Sequence, residues 1–250
     1  MLTEADIKRV KGEGFLRNRG TDCFSARVLT VNGVMTVEDM AVLCEAAKLY
    51  GNGKVSFTTR LTVEVPGIHF DNIPAFKAHI AKAGLVVGGT GPRVRPIVAC
   101  KGTTCTFGLY DTQALAKEIH ERFYLGWHHV TLPHKFKIAC GGCPHNCVKP
   151  DLNDIGIIGA KRAAEGEEAL YRVFLGGTWG KTGRRGIELP RKYTHDEVLD
   201  VVEKSILLFK RDGEDKKRFA EVIERMGIDA VAALFDTDEL LKQKEEILAK

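Results

Sequence analysis

An α+β fold, with strands and helices alternating early in the chain and helices gathered at its end, is what this 250-residue sequence predicts. Three observations carry that expectation. Apolar residues recur at every second position in some stretches and at helical spacing in others. Capping-box pairs stand in front of two of the helical stretches. Hydrophobic residues make up 44% of the chain, enough to bury one large core or two small ones, and no repeat, linker or low-complexity tract interrupts it.

The elements follow in order. Residues 24–31 are β-rich. Thr36 and Asp39 form a capping box for a helix that ends at Gly51, with Val37, Met40, Ala41 and Cys44 as its expected apolar stripe. From 55 to 65 the alternation predicts one continuous strand. Val55, Phe57, Thr59, Leu61, Val63 and Val65 line one face, and Ser56, Thr58, Arg60, Thr62 and Glu64 the other. A helix over 74–83 closes at Gly84. Strand, helix, strand, helix is a ferredoxin-like order, so a half-module over residues 1–90 is expected, with a second domain over 91–250. In the second, a helix is predicted over 112–124 with Leu115, Ile119 and Phe123 at helical spacing. A strand is predicted over 131–139, and shorter ones over 155–159 and 170–175. A glycine-rich loop runs from Gly176 to Gly186. Thr194 and Glu197 then cap a helix reaching about Lys210, and two more helices finish the chain.

The charge of +4 and pI near 8.6 are too mild to predict nucleic-acid binding, yet suit a protein that holds a polyanion. No apolar run nears the ~18 residues of a membrane span, and the first residues lack a secretory signal's pattern, so a cytoplasmic protein without membrane contact is expected. In that reducing setting seven cysteines read as ligands and packing residues. Neither G-x-G-x-x-G nor a P-loop is present, so a redox reaction here would draw electrons from a separate donor.

Two cysteine pairs concentrate the chemistry: Cys100 with Cys105, and Cys143 with Cys147. Their spacings are wider than a zinc knuckle, and they sit in Gly/Pro/Thr-rich loops whose amides can bond cluster sulfurs, which favours a [4Fe–4S] cluster over structural zinc or plain buried thiols. Cys140 is a rival ligand, Cys44 is expected in the core, and Cys23 carries no signal. His145 reads as a ligand, a proton relay or loop filling. Lys135 and Lys137 project from one strand face, about 7 Å apart at ~3.4 Å per residue, while Phe136 and Ile138 pack the other way. With Arg60 and Arg95 they form either solvated strand faces or the cations of an oxyanion site, which would bind by charge-assisted hydrogen bonds and supply protons. Lys181, Arg184 and Arg185 in the glycine loop read equally as partners for carboxylates or as a basic surface turn.

Four segments resemble the sirohaem–[4Fe–4S] sulfite and nitrite reductase family. They are Phe57-Thr-Thr-Arg-Leu-Thr-Val-Glu-Val-Pro-Gly67, Arg95-Pro-Ile-Val-Ala-Cys100, Leu132-Pro-His-Lys-Phe-Lys137 and Gly142-Cys-Pro-His-Asn-Cys147. The likeness spans roughly residues 14–230. It implies a ferredoxin-like half-module followed by a sirohaem- and [4Fe–4S]-binding α/β domain with C-terminal helices. It further implies a cluster on Cys100, Cys105, Cys143 and Cys147, with Cys147 also the axial ligand of the sirohaem. The cofactor contacts would include Thr59, Lys181, Arg184 and Arg185. Sulfite or nitrite would bind among Arg60, Arg95, Lys135 and Lys137 and take six electrons from a ferredoxin-like protein or a reductase subunit. The first pair is one residue closer than the family's C-x5-C, which keeps Cys140 in view. The chain is a single repeat where larger relatives have two, which implies a homodimer or a pair with a homologous subunit. Sulfite reduction is the expected activity. Nitrite reduction, a non-catalytic iron–sulfur electron-transfer subunit and a zinc-stabilised binding module are the alternatives.

Overall fold

The computed structural model describes residues 2–163, 165 and 167–250, which divide at Gly91 into two compact units. The N-terminal unit, residues 1–91, is a four-stranded antiparallel sheet with helices. Helix α1 (Glu4–Gly12) is followed by β1 (Phe15–Arg17), β2 (Cys23–Val28), α2 (Val37–Tyr50), β3 (Ser56–Phe57), β4 (Val63–His69) and α3 (Ile73–Ala81). The strand order is β1-β2-β4-β3. Its core gathers Phe15, Phe24, Leu43, Val65, Ile68 and Phe76. The mixed order of strands and helices is the ferredoxin-like arrangement expected, with α1 and β1 added in front.

Two expectations in this unit are corrected. The 55–65 alternation is a hairpin, not one strand: Phe57 is 75% exposed, while Val63 and Val65 are buried. The turn carries no Gly, Pro or Asn to announce it. Thr58 and Thr62 close it, hydroxyl to hydroxyl at 2.7 Å and backbone N to O at 2.9 Å, and Leu61 takes a left-handed φ of 59°. A three-residue loop ending in a left-handed residue is a common hairpin form, usually with Gly there. Here Leu61 is held by the Thr30 hydroxyl on its carbonyl. In α2 the Thr36–Asp39 capping box forms, but Leu43, Ala46 and Ala47 are the buried residues. Val37 is 81% exposed and Cys44 lies outside the core. Apolar residues occupy two overlapping stripes on this helix, and periodicity alone cannot choose between them.

The second unit, residues 92–250, is built on a five-stranded mixed sheet. In order come β5 (Val98–Ala99), α4 (Thr112–Ile119), β6 (Ile138–Gly141), β7 (Ile155–Lys161), β8 (Leu170–Leu175), β9 (Ile187–Glu188) and α5 (His195–Asp212). Helices α6 (Phe219–Met226), α7 (Ile228–Phe235), α8 (Glu239–Lys242) and α9 (Lys244–Ala249) close the chain. Strands β5, β6 and β7 run parallel, and β8 and β9 antiparallel. Helix α4 continues as a π-helical turn over His120–Leu125, with Leu115, Ile119 and Phe123 buried as their spacing predicted. The capping box of Thr194 and Glu197 starts α5. Phe136 is clasped between Phe209 and Phe219, ring centroids 5.6 and 5.3 Å away, which ties the approach to β6 to helices α5 and α6. Among the described residues no helix is long and apolar enough to cross a membrane.

Candidate active site

The parallel strands set out the chemistry of the second unit. Cys100 follows β5 directly, and Cys143 lies two residues beyond β6, so both thiols leave the carboxyl ends of neighbouring parallel strands. In sheets of this kind ligands bind at that edge. The Cys100 sulfur accepts the Gly142 N–H at 3.1 Å and the Gly102 N–H at 3.4 Å. Its peptide is pinned by a 3.0 Å bond to the Cys140 carbonyl, and its own carbonyl takes the Thr112 hydroxyl and the Gln113 amide at 2.6 and 2.9 Å. A Cβ on Gly142 would stand 3.3 Å from that sulfur, so a glycine lets the second loop approach the first. Backbone bonds from Cys105 to Gly102, Gly108 to Cys105 and Leu109 to Gly142 carry Cys105 on the same framework. Beside it a cavity of ≈ 280 Å³ is lined by Cys105, Gly108 and Arg162.

The second loop is held under strain. Asn146 and Lys149, on either side of Cys147, take φ of 56° and 50°. Non-glycine residues adopt this region at a cost, and such positions cluster at functional sites. Asn146 is fixed by its side-chain amide on Asp151, at 2.8 Å. His145 reaches the Cys143 sulfur at 3.3 Å and packs on Phe107, ring centroids 4.7 Å apart. A [4Fe–4S] cluster takes each thiol on a different iron and backbone N–H groups on the sulfurs, and the two N–H groups on the Cys100 sulfur have that form. Among the described residues no three His, Cys, Asp or Glu side chains gather as a site for a single ion. Cys140 lies on β6 itself, beside the start of the first loop, where its carbonyl accepts the Cys100 N–H. It is wholly buried within β6, and burial pushes its thiol well above the ordinary range.

The cations occupy the other end of the same strands. Val94 bridges Phe136, with Arg95 N–H on the Phe136 carbonyl at 2.8 Å, so Arg95 stands in register with Lys135 and Lys137 ahead of β5 and β6. Phe136 and Ile138 are fully buried, which turns Lys135 and Lys137 the opposite way. Burial, then the charges of Arg218 and Arg95, hold the Lys135 ammonium below its ordinary pKa. Burial, then Lys135, Arg218 and Arg95, do the same to His134. Lys137 and Gly142 bracket β6, up to about 17 Å apart at ~3.4 Å per residue. Closeness in sequence between the lysines and cysteines is therefore the length of a strand, not a shared cavity within this unit.

Lys181 and Arg184 line a cavity of ≈ 360 Å³ with Lys135, His134 and Arg218. The glycine loop that carries them is a hairpin, closed by paired backbone bonds between Thr178 and Arg184. Arg184 pairs with Glu224 at 3.0 Å. Arg185 pairs instead with the buried Asp151 at 2.7 Å, bracing the carboxylate that holds Asn146. Arg60 and Thr59 sit at the tip of the β3–β4 hairpin in the first unit, the Arg60 N–H 3.3 Å from the Thr58 hydroxyl. Sequence reasoning missed Asp151, Asp154 and Arg218. The one available signal was a pair of aspartates three apart directly before a strand that is apolar up to its last residue, Lys161.

A family model for the nitrite and sulphite reductase 4Fe-4S domain matches residues 90–244, and one for the nitrite/sulfite reductase ferredoxin-like half domain matches residues 17–83. The coenzyme F420-dependent sulfite reductase of Methanocaldococcus jannaschii is 27% identical over 95% of this chain and 44% of its own length. A nitrite reductase [NAD(P)H] of Bacillus subtilis is 23% identical over 83% of this chain and 24% of its own. The chain thus spans less than half of either relative. The solved structure of the Mycobacterium tuberculosis NirA protein superposes with a TM-score of 0.79 at 19% identity, covering 96% of this chain and 47% of that one, a likeness of fold.

Proposed function

The chain belongs to the nitrite and sulphite reductase 4Fe-4S family, and from that premise we propose that it reduces sulfite to sulfide at a sirohaem coupled to a [4Fe–4S] cluster. The observation that carries the reading is the layout of the second unit: paired thiol loops at one end of β5 and β6, and Arg95, Lys135 and Lys137 in register at the other. Cys100, Cys105, Cys143 and Cys147 would hold the cluster, and Cys147 would also reach the sirohaem iron. When bound, these groups would relay the six electrons from the donor and offer an open iron coordination position. The remaining work falls to side chains. Arg95, Lys135 and Lys137 hold the oxyanion through charge-assisted hydrogen bonds, and the lysines deliver protons as its three oxygens leave as water. The depressed pKa of Lys135 brings its proton nearer to transferable. Arg60, on the hairpin tip, is a fourth candidate cation, and Thr59, Lys181, Arg184 and Arg185 are candidates for cofactor contacts. Nitrite fits the same cations.

Because thiols and lysines stand at opposite strand ends, a complete site takes the cations of one protomer and the cysteines of another copy or a homologous subunit. Electrons come from a separate donor, a ferredoxin-like protein or reductase subunit. Mixing the inactive Lys135→Ala/Lys137→Ala and Cys147→Ser variants of anaerobically purified protein tests this. If the partner is a second copy, half the dimers are mixed and each has one working site, so about a quarter of wild-type sulfite turnover returns. Mixtures as inactive as their components would remove the shared site between copies, and turnover of neither sulfite nor nitrite by the wild type would remove the function.

A further inference from the structure

We propose that Arg218 is a further anion-binding residue of the Lys135 cavity, and that Asp154 is the positioning residue that fixes both Arg218 and the backbone of Lys137. The inference rests on the reading above for its cofactor and substrate, but its geometry stands in one unit of this chain. Asp154 has no exposed surface and ends the loop directly before β7. One of its oxygens, Oδ2, accepts the Lys137 N–H at 2.7 Å and the Arg218 Nη2 at 2.6 Å. A single carboxylate oxygen thus ties the lysine segment ahead of β6 to the residue at the N-terminus of α6.

The pair does not have the form of a simple internal salt bridge. Arginine–carboxylate pairs are frequently bidentate, each oxygen matched to its own N–H. Here Oδ1 of Asp154 and Nε of Arg218 are both buried without a hydrogen-bond partner among the described residues. Arg218 presents five N–H donors, lines the ≈ 360 Å³ cavity, and keeps 16% of its side chain exposed there. The cavity wall holds Lys135, Lys181, Arg184, Lys216 and Arg218 against one acid, Glu221. Arg184 is offset by Glu224, and the exposed Lys216 by Asp215 at 3.6 Å. Lys135, Lys181 and Arg218 remain, with Asp154 compensating Arg218 from behind. Crowding of like charges is visible in the depressed pKa of Lys135, to which Arg218 contributes after burial. Such a wall is stable when an anion enters, and the planar guanidinium suits a carboxylate or an oxyanion. Two sources share that chemistry, a carboxylate of the macrocycle and the substrate itself.

The test compares the purified holoenzyme with Arg218→Gln, Arg218→Lys and Asp154→Asn. Tetrapyrrole absorbance per chain, KM and kcat for sulfite, and the rise of the thermal midpoint with inorganic sulfate are all read. A KM raised about tenfold, more than kcat falls, with tetrapyrrole intact, assigns Arg218 to the oxyanion. Loss of tetrapyrrole in Arg218→Gln, restored in part by Arg218→Lys, assigns it to a cofactor carboxylate. In both cases Asp154→Asn moves the same quantity in the same direction. If the wild type holds no tetrapyrrole, the sulfite reductase reading falls. A sulfate response present in the wild type and absent in Arg218→Gln would still uphold the anion site. A lower thermal midpoint in Arg218→Gln with KM, tetrapyrrole content and sulfate response all unchanged would make the pair merely structural and overturn the proposal.

Discussion

Replacing Gly177 with alanine should damage the protein, while the same change at Gly183, six residues along the same glycine-rich loop, should not. A Cβ at Gly177 would stand 2.3 Å from the Asp151 carbonyl and 2.5 Å from that of Asn153, whereas at Gly183 nothing lies within 4 Å. Ordinary contact begins at 3.4 Å, so the Asp151 backbone must retreat by about 1 Å, and no rotamer change can relieve a clash with backbone. Overpacking of this kind costs about 1–3 kcal/mol, and a rigid neighbour places Gly177→Ala in the upper half of that range. For a chain of this length, 2–3 kcal/mol lowers the melting midpoint by about 4–12 °C. Gly183→Ala narrows only the unfolded ensemble and should be neutral or stabilising by up to about 1 kcal/mol. Thermal unfolding followed by circular dichroism measures the difference. Iron per chain gives a second reading, because Asp151 also holds Asn146 inside the second cysteine loop. Equal midpoints for the two variants would refute the close packing of this loop on its own backbone.

Other expectations bear on the thiols and on charge. Cys105→Ala should cut iron per chain about tenfold or more, whereas Cys140→Ala should keep it, because Cys140 is buried within β6; elemental analysis decides. Burial raises the pKa of Asp151, but bonds from Asn146 and Arg185 outweigh it and hold the carboxyl below its ordinary value. That stabilisation is fully present above the unfolded pKa of ~3.9 and is lost as pH falls through the lower folded value. The stability gap between wild type and Asp151→Asn should be flat from about pH 7 to 5 and shrink below about 4; a gap that widens in acid would contradict it. Arg60→Ala should raise KM for sulfite by about 10–100-fold if the guanidinium bonds the anion, as steady-state kinetics will report.

The fold was legible wherever a local rule had a single solution. The Thr36–Asp39 and Thr194–Glu197 boxes start helices where expected, and the Leu115, Ile119, Phe123 spacing marks the buried face. It was ambiguous where two solutions met the same rule. Alternation through 55–65 survives a turn closed by two threonines, and α2 offers two apolar stripes. The cysteines stand out because thiols in short glycine-containing loops have few other uses. Arg218 and Asp154 do not, because their meaning comes from a contact across 64 residues and from complete burial, neither of which leaves a local mark. The lysines were read as neighbours of the cysteines through sequence proximity, but β6 lies between them.

The most direct test is to purify the chain without oxygen and measure iron, zinc and tetrapyrrole per protomer together with its absorption spectrum. About four cluster irons and one haem iron per protomer, with Soret and red-visible bands, are the expected result. Colourless protein lacking iron, or one whose thiols carry zinc, would contradict it.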